Sequence, residues 1–269
     1  MGADIKSLRT RIKSVDSTLH LTKAMGLVAS SKIRRAGEAM KKGREYRAAL
    51  CSFISALTQC KESEKSPYMQ SRSDDIARTR MIIIAGDRGL AGGYNANVFR
   101  LAAQYKGAQF IPIGKRACEK YHAEANSSEH YSVDEAFALA SSLCADFAGG
   151  EYDRLGIIST RYESMMTQTA EVTWVLPLTR EGDAVPSGMI FEPDELTVLN
   201  AVIPEYVSGT LVACLRESFA SEVAARRMAM DSAGKNATAM IDELQLAYNR
   251  ARQGAITQEI TEIVAGAGE

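Results

Sequence analysis

At 269 residues, with 46% hydrophobic and 24% charged residues, the chain is not a largely disordered one and has room for one large domain or two ordinary ones. Its net charge of −1 argues neither for nor against a nucleic-acid partner, but the distribution of charge says more. Residues 1–50 hold six Lys and six Arg against two Asp and two Glu, a local balance of +8; residues 205–269 hold one Lys and five Arg against two Asp and seven Glu, a balance of −3. Two solvated faces would give this pattern, and so would two segments that attract each other. The five cysteines (Cys51, Cys60, Cys118, Cys144, Cys214) are scattered and never spaced as CxxC, which fits a reduced, cytosolic compartment and no zinc site. His20, His122 and His130 show no metal spacing. The start, MGADIKSLRTRIKS, lacks the apolar core of a secretory signal, and no unbroken run of eighteen apolar residues occurs, so any membrane role is expected to be peripheral.

In chain order, the first segment runs to about Cys60. Ile5, Leu8, Ile12, Val15, Leu19, Thr22, Gly26, Ala29, Ile33, Ala36 and Met40 alternate in steps of three and four, the spacing of a coiled-coil seam. The seam becomes small at Thr22, Gly26, Ala29 and Ala36. Gly26 and Gly37 each cost a helix about 1 kcal/mol relative to alanine, so close approach of a partner helix is the expected reason for them. Residues 61–77, polar and turn-rich, read as a linker. The period then changes. A strand at Met81–Ala85 leads into the glycine loop Gly86–Asn95, a helix over about Asn97–Tyr105 and a second strand at Phe110–Ile113. Helices follow near Lys115–His122 and Val133–Phe147, then strands at Arg154–Thr160 and Glu171–Leu178. Met189–Asp194 closes this region, with Asp194 as N-cap of a short helix before Pro204.

All six prolines (67, 112, 177, 186, 193 and 204) lie in the middle of the chain. From Glu205 to Glu269 there is none, and the segment reads as one helix about 97 Å long. Its seam is expected at Met230, Ala233, Ala237, Met240, Leu244, Ala247, Ala251 and Gly254. Ile256, Ile260, Ile263 and Val264 form one apolar face on the final turns, a face suited to burial. The fold class expected is α/β: a long antiparallel coiled coil of N- and C-terminal helices plus a central Rossmann-like open α/β domain, divided as residues 1–66, 67–204 and 205–269.

The glycine loop is the one segment with the position of a cofactor site, since it follows a strand and precedes a helix. Lys115-Arg116 just beyond the second strand would suit a 2′-phosphate. Yet Gly86, Gly89, Gly92 and Gly93 give GxxGxxGG rather than GxGxxG, and no acidic residue ends the second strand. The other reading is a loop whose glycines supply positive φ and close strand–helix contact. No nucleophile constellation, cofactor site or metal site is expected. Glu217, Glu222, Asp242, Glu243, Glu259 and Glu262 read as solvated or paired. Arg226-Arg227 and Arg250/Arg252 beside the Ala/Met seam suit forked hydrogen bonds to carboxylates or carbonyls, or surface charge on a packed stem.

Several stretches together resemble the gamma subunit of F-type ATP synthases. Leu21-Thr22-Lys23-Ala24-Met25 with Val28-Ala29-Ser30-Ser31-Lys32 is similar to that family's first helix, and Asp87 to Asn95 to its glycine loop. Ser221-Glu222, Ala225-Arg226, Ala229-Met230, Asn236-Ala237 and Tyr248 to Gln253 resemble its last helix. That helix ends in the most specific run, Ile256 to Ala267. The resemblance implies a central rotor shaft, noncatalytic itself, that passes through a hexamer of alpha and beta subunits and stands beside the epsilon subunit and the c-subunit ring. It implies that the glycine loop binds no nucleotide and that no nucleic acid is a partner. The complex would sit peripherally on the cytoplasmic face of a bacterial cell membrane. Arg252, Gln253 and Thr257 would touch the beta subunits, Met25 and Arg226 would belong to a coupling region, and Glu192 would lie at the foot near the c ring. Glu269 and Arg227 depart from the family pattern, Arg227 as the expected source of an extra salt bridge. Cys51 and Cys60 read as structural. An NADP-binding α/β enzyme and a self-associating coiled-coil scaffold are the rival classes.

Overall fold

The computed structural model describes residues 2–70, 78–180 and 190–266, with side chains from Ile5 on. Expectations for residues 71–77, Pro186, Met189, Ala267 and Glu269 lie outside the described residues. By contact the chain divides into two compact units, Met1–Ser30 with Arg226–Glu269, and Ser31–Ala225.

Helix α1 spans Gly2–Thr58. After it come strand β1 (Thr79–Ile84), helix α2 (Tyr94–Ala102), strand β2 (Gln109–Ile113), helix α3 (Lys115–Tyr121) and helix α4 (Val133–Ala148). Strands β3 (Arg154–Tyr162) and β4 (Gln168–Leu176) precede helix α5 (Glu195–Gly266). The strands form one sheet in the order β2-β1-β3-β4. β1 runs parallel to β2 and β3, while β4 is an antiparallel edge strand. This is the open, mostly parallel sheet expected.

Within Ser31–Ala225 the sheet is covered on both faces, which is why β1 reads as an unbroken apolar run rather than an alternation. Ile82, Ile84, Leu155 and Ile157 share one core with Ile54 and Leu57 of α1, Phe147 of α4, and Leu199, Ile203, Val207 and Leu211 of α5. Met81, Ile83 and Ile158 turn the other way and pack with Val98 and Ala102 of α2 and Ala117 of α3. Helix α4 is started by a reciprocal cap. The Ser132 hydroxyl accepts from the Glu135 amide at 3.1 Å, and the Glu135 carboxylate accepts from the Ser132 amide at 2.7 Å.

Two expectations are corrected. Helix α5 does not begin at Glu205: it begins at Glu195 and carries Pro204 inside it. Asp194 is indeed the cap, accepting from the Thr197 amide at 2.9 Å and its hydroxyl at 2.7 Å, but it caps the long helix rather than a separate short one. A proline within a helix costs about 3 kcal/mol. Burial of Leu199, Ile203, Val207 and Leu211, all at 0% exposure and four residues apart, offsets it. The segment read as a linker is likewise packed over its described part. Glu62–Lys65 and Pro67–Met69 form 3-10 turns, and Tyr68 stacks on Phe147 with ring centroids 6.0 Å apart. Lys61, Glu62, Glu64 and Lys65 are exposed, but Ser63 and Ser66 beside them are fully buried: Ser63 donates to the Leu57 carbonyl at 2.7 Å and Ser66 to the Asn200 side-chain oxygen at 2.7 Å. The apolar stretch of α5 has the length and composition to cross a membrane, yet 56% of it is buried inside the protein, the situation of a core helix.

Candidate functional site

The helices pair inside the unit formed by Met1–Ser30 and Arg226–Glu269. A Cβ on Gly26 would lie 3.7 Å from Met230 Cβ, and one on Gly234 would lie 3.7 Å from Thr22 Oγ1 and 3.8 Å from Leu19 Cδ1. Numbers rise on one helix as they fall on the other, so the pairing is antiparallel. Leu19, Thr22, Ala29, Met230 and Ala237 are all buried to below a tenth exposure. The Thr22 hydroxyl is turned back onto its own helix, donating to the Leu19 carbonyl at 2.9 Å. Every seam position expected on α1 from Ile5 to Met40 is buried or half-buried. On α5 one row, Met230, Ala237, Leu244 and Ala251, holds. The second row holds at Ala233, which is half-buried like Gly234, and is corrected after it: Ile241, Tyr248 and Ala255 are half-buried, while Met240, Ala247 and Gly254 are exposed. Both candidates in each turn are small or apolar, so composition alone could not choose between a step of three and a step of four.

The same unit leaves apolar side chains bare. Leu21 is 59% exposed, Leu27 70% and Val28 56%; toward the end of α5, Ile256 is 43%, Ile260 57%, Ile263 70% and Val264 67% exposed. The face on the last turns expected to be buried is open in the protein itself. Arg252, Gln253 and Thr257 stand exposed on neighbouring turns of the same stretch. Met25 and Arg226, both half-buried, belong to this unit as well. Glu192 does not: it lies exposed in the other unit, before cis Pro193 and the start of α5. Arg227 reaches the Gly26 carbonyl at 3.4 Å instead of making the ion pair expected of it, and Asp231 takes Lys235 at 2.8 Å. Sequence reasoning missed Leu21, Leu27 and Val28, although a signal was available. They are apolar residues off the seam, where a solvated helix carries polar ones.

The glycine loop is filled by carboxylates. A Cβ on Gly86 would come within 2.7 Å of the Glu222 carboxyl carbon, and Glu222 is only 3% exposed. Of the two readings given for it, solvated or paired, burial rules out the solvated one, and the side chain packs against the loop. Asp87 accepts from the Ser127 hydroxyl at 2.5 Å and from the amides of Ser128 (2.9 Å), Lys115 (3.1 Å) and Glu129 (3.2 Å). Burial pushes the Asp87 carboxyl up, but these hydrogen bonds outweigh it and hold the group below the usual carboxylate range. Among the loop glycines only Gly92 adopts positive φ, with Leu90 beside it at 61°. Arg116, a candidate for a 2′-phosphate, pairs with Glu119 at 2.8 Å. A phosphate here would face two carboxylates, the reverse of what an anion site requires.

The cysteines are free thiols. Burial pushes the Cys144 thiol up to about 12, and burial together with the charge of Glu195 raises that of Cys60. Neither has the lowered value of a reactive thiol.

A family model described as ATP synthase matches residues 4–268. The ATP synthase gamma chain of Geobacter sp. is 36% identical over 284 residues, covering 98% of each chain. The gamma chain described as sodium ion specific from Acetobacterium woodii is 36% identical over 301 residues, covering 99% of each. Among solved structures, a chain of the Euglena gracilis mitochondrial ATP synthase (OSCP, F1 and c-ring, rotational state 3) superposes with a TM-score of 0.70 at 17% identity, over 98% of this chain and 94% of that one. A chain of the Tetrahymena thermophila central stalk and c-ring does so with a TM-score of 0.60 at 20% identity, over 79% and 99%.

Proposed function

The chain belongs to the ATP synthase gamma-chain family, and from that premise we propose that it is the central rotor shaft of an F-type ATP synthase. It couples ion-driven rotation of a c-subunit ring to the conformational cycle of catalytic beta subunits in an alpha–beta hexamer, on the cytoplasmic face of a bacterial cell membrane. The chain performs no bond chemistry; the catalytic sites belong to the beta subunits. The observation that carries this reading is the unit of paired helices with a small-residue seam inside and apolar side chains outside, from Leu21 to Val28 and from Ile256 to Val264. Apolar contact is non-directional, so a bare apolar surface can turn within an apolar sleeve without breaking a fixed set of hydrogen bonds at each step. The paired helices supply stiffness.

Arg252, Gln253 and Thr257 are the residues placed to make the few directional contacts of a rotary dwell, hydrogen bonds to carboxylates or carbonyls of a beta subunit. Met25 and Arg226 serve the neighbouring coupling region, and Glu192 the foot near the c ring. Co-expression with the alpha and beta subunits of the same organism tests the reading. One copy of this chain per hexamer, with ATP hydrolysis that depends on it, is the expected result. A chain that elutes alone, with alpha–beta turnover indifferent to it, overturns the proposal. Arg252→Ala combined with Gln253→Ala is expected to lower coupled ATP synthesis by about tenfold, the equivalent of one charge-assisted hydrogen bond lost in the dwell.

A further inference from the structure

Strand β3 outruns its neighbour. β1 pairs with it from Arg154 to Ile158, whereas β4 pairs with it on to Tyr162. On the β1 side, Thr160 and Tyr162 therefore have no strand opposite them, because the chain of β1 has already turned into the glycine loop. Helix side chains take the place of that strand. The Ser218 hydroxyl accepts from the Thr160 amide at 3.1 Å, and the Ser221 hydroxyl donates to the Thr160 carbonyl at 3.2 Å. Glu217 Oε1 accepts from the Tyr162 amide at 3.0 Å. Arg44 Nη2 donates to the Tyr162 carbonyl at 2.5 Å and to Glu217 Oε1 at 2.6 Å. Amide, carbonyl, amide and carbonyl along β3 are each answered, three by one turn of α5 and the fourth by α1.

Alanine at Ser218 and Ser221 would fill the space but leave the buried Thr160 amide and carbonyl without these partners, so the strand end itself calls for polar side chains. Ser218 is 1% exposed and Ser221 fully buried. What the polar set adds is direction. Apolar packing resists separation but yields to sliding and twisting, whereas hydrogen bonds near 3 Å fix the helix in register and in rotation about its axis.

We propose that Arg44, Glu217, Ser218 and Ser221 form a torque-bearing joint, positioning residues that lock α1 and α5 to the α/β sheet so that rotation passes between sheet and helices without slip. The proposal rests on the shaft reading above. It is tested in the full complex, reconstituted into vesicles, with Ser218→Ala and Ser221→Ala together and, separately, Arg44→Ala. Three quantities are read: the ATP hydrolysis rate, the ions pumped per ATP hydrolysed, and the angular spread of a bead fixed to the α/β unit while a non-hydrolysable nucleotide stalls the hexamer. Both variants are expected to hydrolyse ATP at the wild-type rate, with pumping per ATP reduced and angular variance raised by about twofold or more. Glu217→Gln keeps an acceptor oxygen for Tyr162 and is expected to retain most of the stiffness. A purely structural role would lower thermal stability and leave the pumping ratio and the variance unchanged. Arg44 is half-exposed, so its variant folds even if the buried double variant does not, and wild-type variance and coupling in Arg44→Ala overturn the joint. Failure of the shaft reading looks different: the wild-type chain itself would then neither support chain-dependent hydrolysis nor turn the bead.

Discussion

In the unit from Ser31 to Ala225, Met81, Ile82, Ile83 and Ile84 are wholly buried, and both faces of the sheet are covered by helices of the same chain. In the unit formed by Met1–Ser30 and Arg226–Glu269, the buried residues are mostly small ones on a narrow seam, and Leu27 and Ile263 are each 70% exposed. At about 25 cal/mol per Å² of apolar surface removed from water, the first unit draws its stability from within. The second leaves much of its apolar surface for something outside it. The sheet unit also leaves single apolar side chains exposed, Ile190, Met166 and Leu90 among them, but it closes a core around its sheet, whereas the paired helices, among the described residues, have no core beyond their seam.

The sheet unit is most vulnerable at Gly114. Its φ is +98°, and a Cβ there would sit 2.0 Å from the Ala85 carbonyl oxygen, a backbone atom that cannot step aside. Gly114→Ala is expected to cost about 4 kcal/mol or more and to unfold the sheet unit. Urea unfolding followed by far-ultraviolet circular dichroism, with hydrogen exchange resolved over residues 79–176, would show the loss. A midpoint within error of wild type would mean that the strand ends can shift to admit the methyl.

A smaller effect is expected at Asp87. Removing its carboxylate in Asp87→Ala leaves the Ser128 amide buried without its acceptor, at a cost of about 2 kcal/mol. The pH dependence follows from the lowered carboxyl. A group held below its unfolded value, near 3.9, contributes stability that is fully present above that value and is lost as pH falls through the folded one. Wild type should therefore lose stability below about pH 4, and Asp87→Asn, which cannot ionise, should fall less steeply over that window. Parallel slopes for the two proteins would show that the hydrogen bonds to Asp87 do not bind its ionised form more strongly.

Periodicity made the two long helices and their antiparallel seam legible, because one face must recur every three or four residues whatever the partner is. The strands were legible in two ways, β1 as a short unbroken apolar run and β4 as an alternation at a period of two. What the sequence could not disclose is distant. Asp87 meets Ser127 and Ser128 some forty positions away, and Glu222 meets Gly86 across more than a hundred, and no local pattern encodes either pairing. Pro204 misled because local propensity sets a helix boundary there, while the burial of Leu199 and Ile203 on one side and Val207 on the other carries the helix through. Gly26 against Met230, and Gly234 against Thr22 and Leu19, is a matter of register, which small residues specify weakly. For the candidate site, Arg252, Gln253 and Thr257 were named as beta-subunit contacts on the family resemblance alone and stand exposed, whereas Leu21, Leu27 and Val28 carried a signal, apolar residues off the seam, that seam spacing by itself does not register.

The smallest expected change in stability is also the sharpest test of the contrast between the units. Ile260 and Ile263 are 57% and 70% exposed, so replacing both by serine removes little that the folded chain has buried. Isoleucine and serine have similar helix propensity, and the double variant should unfold within about 0.5 kcal/mol of wild type. Aspartate would be a poorer choice, because a negative charge on the last turns of a helix opposes its dipole and would blur the comparison. If the face serves only as inert surface, assembly and chain-dependent ATP hydrolysis with alpha and beta subunits should not change. If it is the sleeve-facing end of a shaft, assembly should weaken and the hydrolysis rate should fall at equal chain concentration, while the stability of the isolated chain stays put. An effect on function without an effect on folding is the signature that separates the second unit from the first. In the sheet unit, any core substitution strong enough to change function would have to act through stability, since Ile82 or Leu155 has no surface to offer a partner.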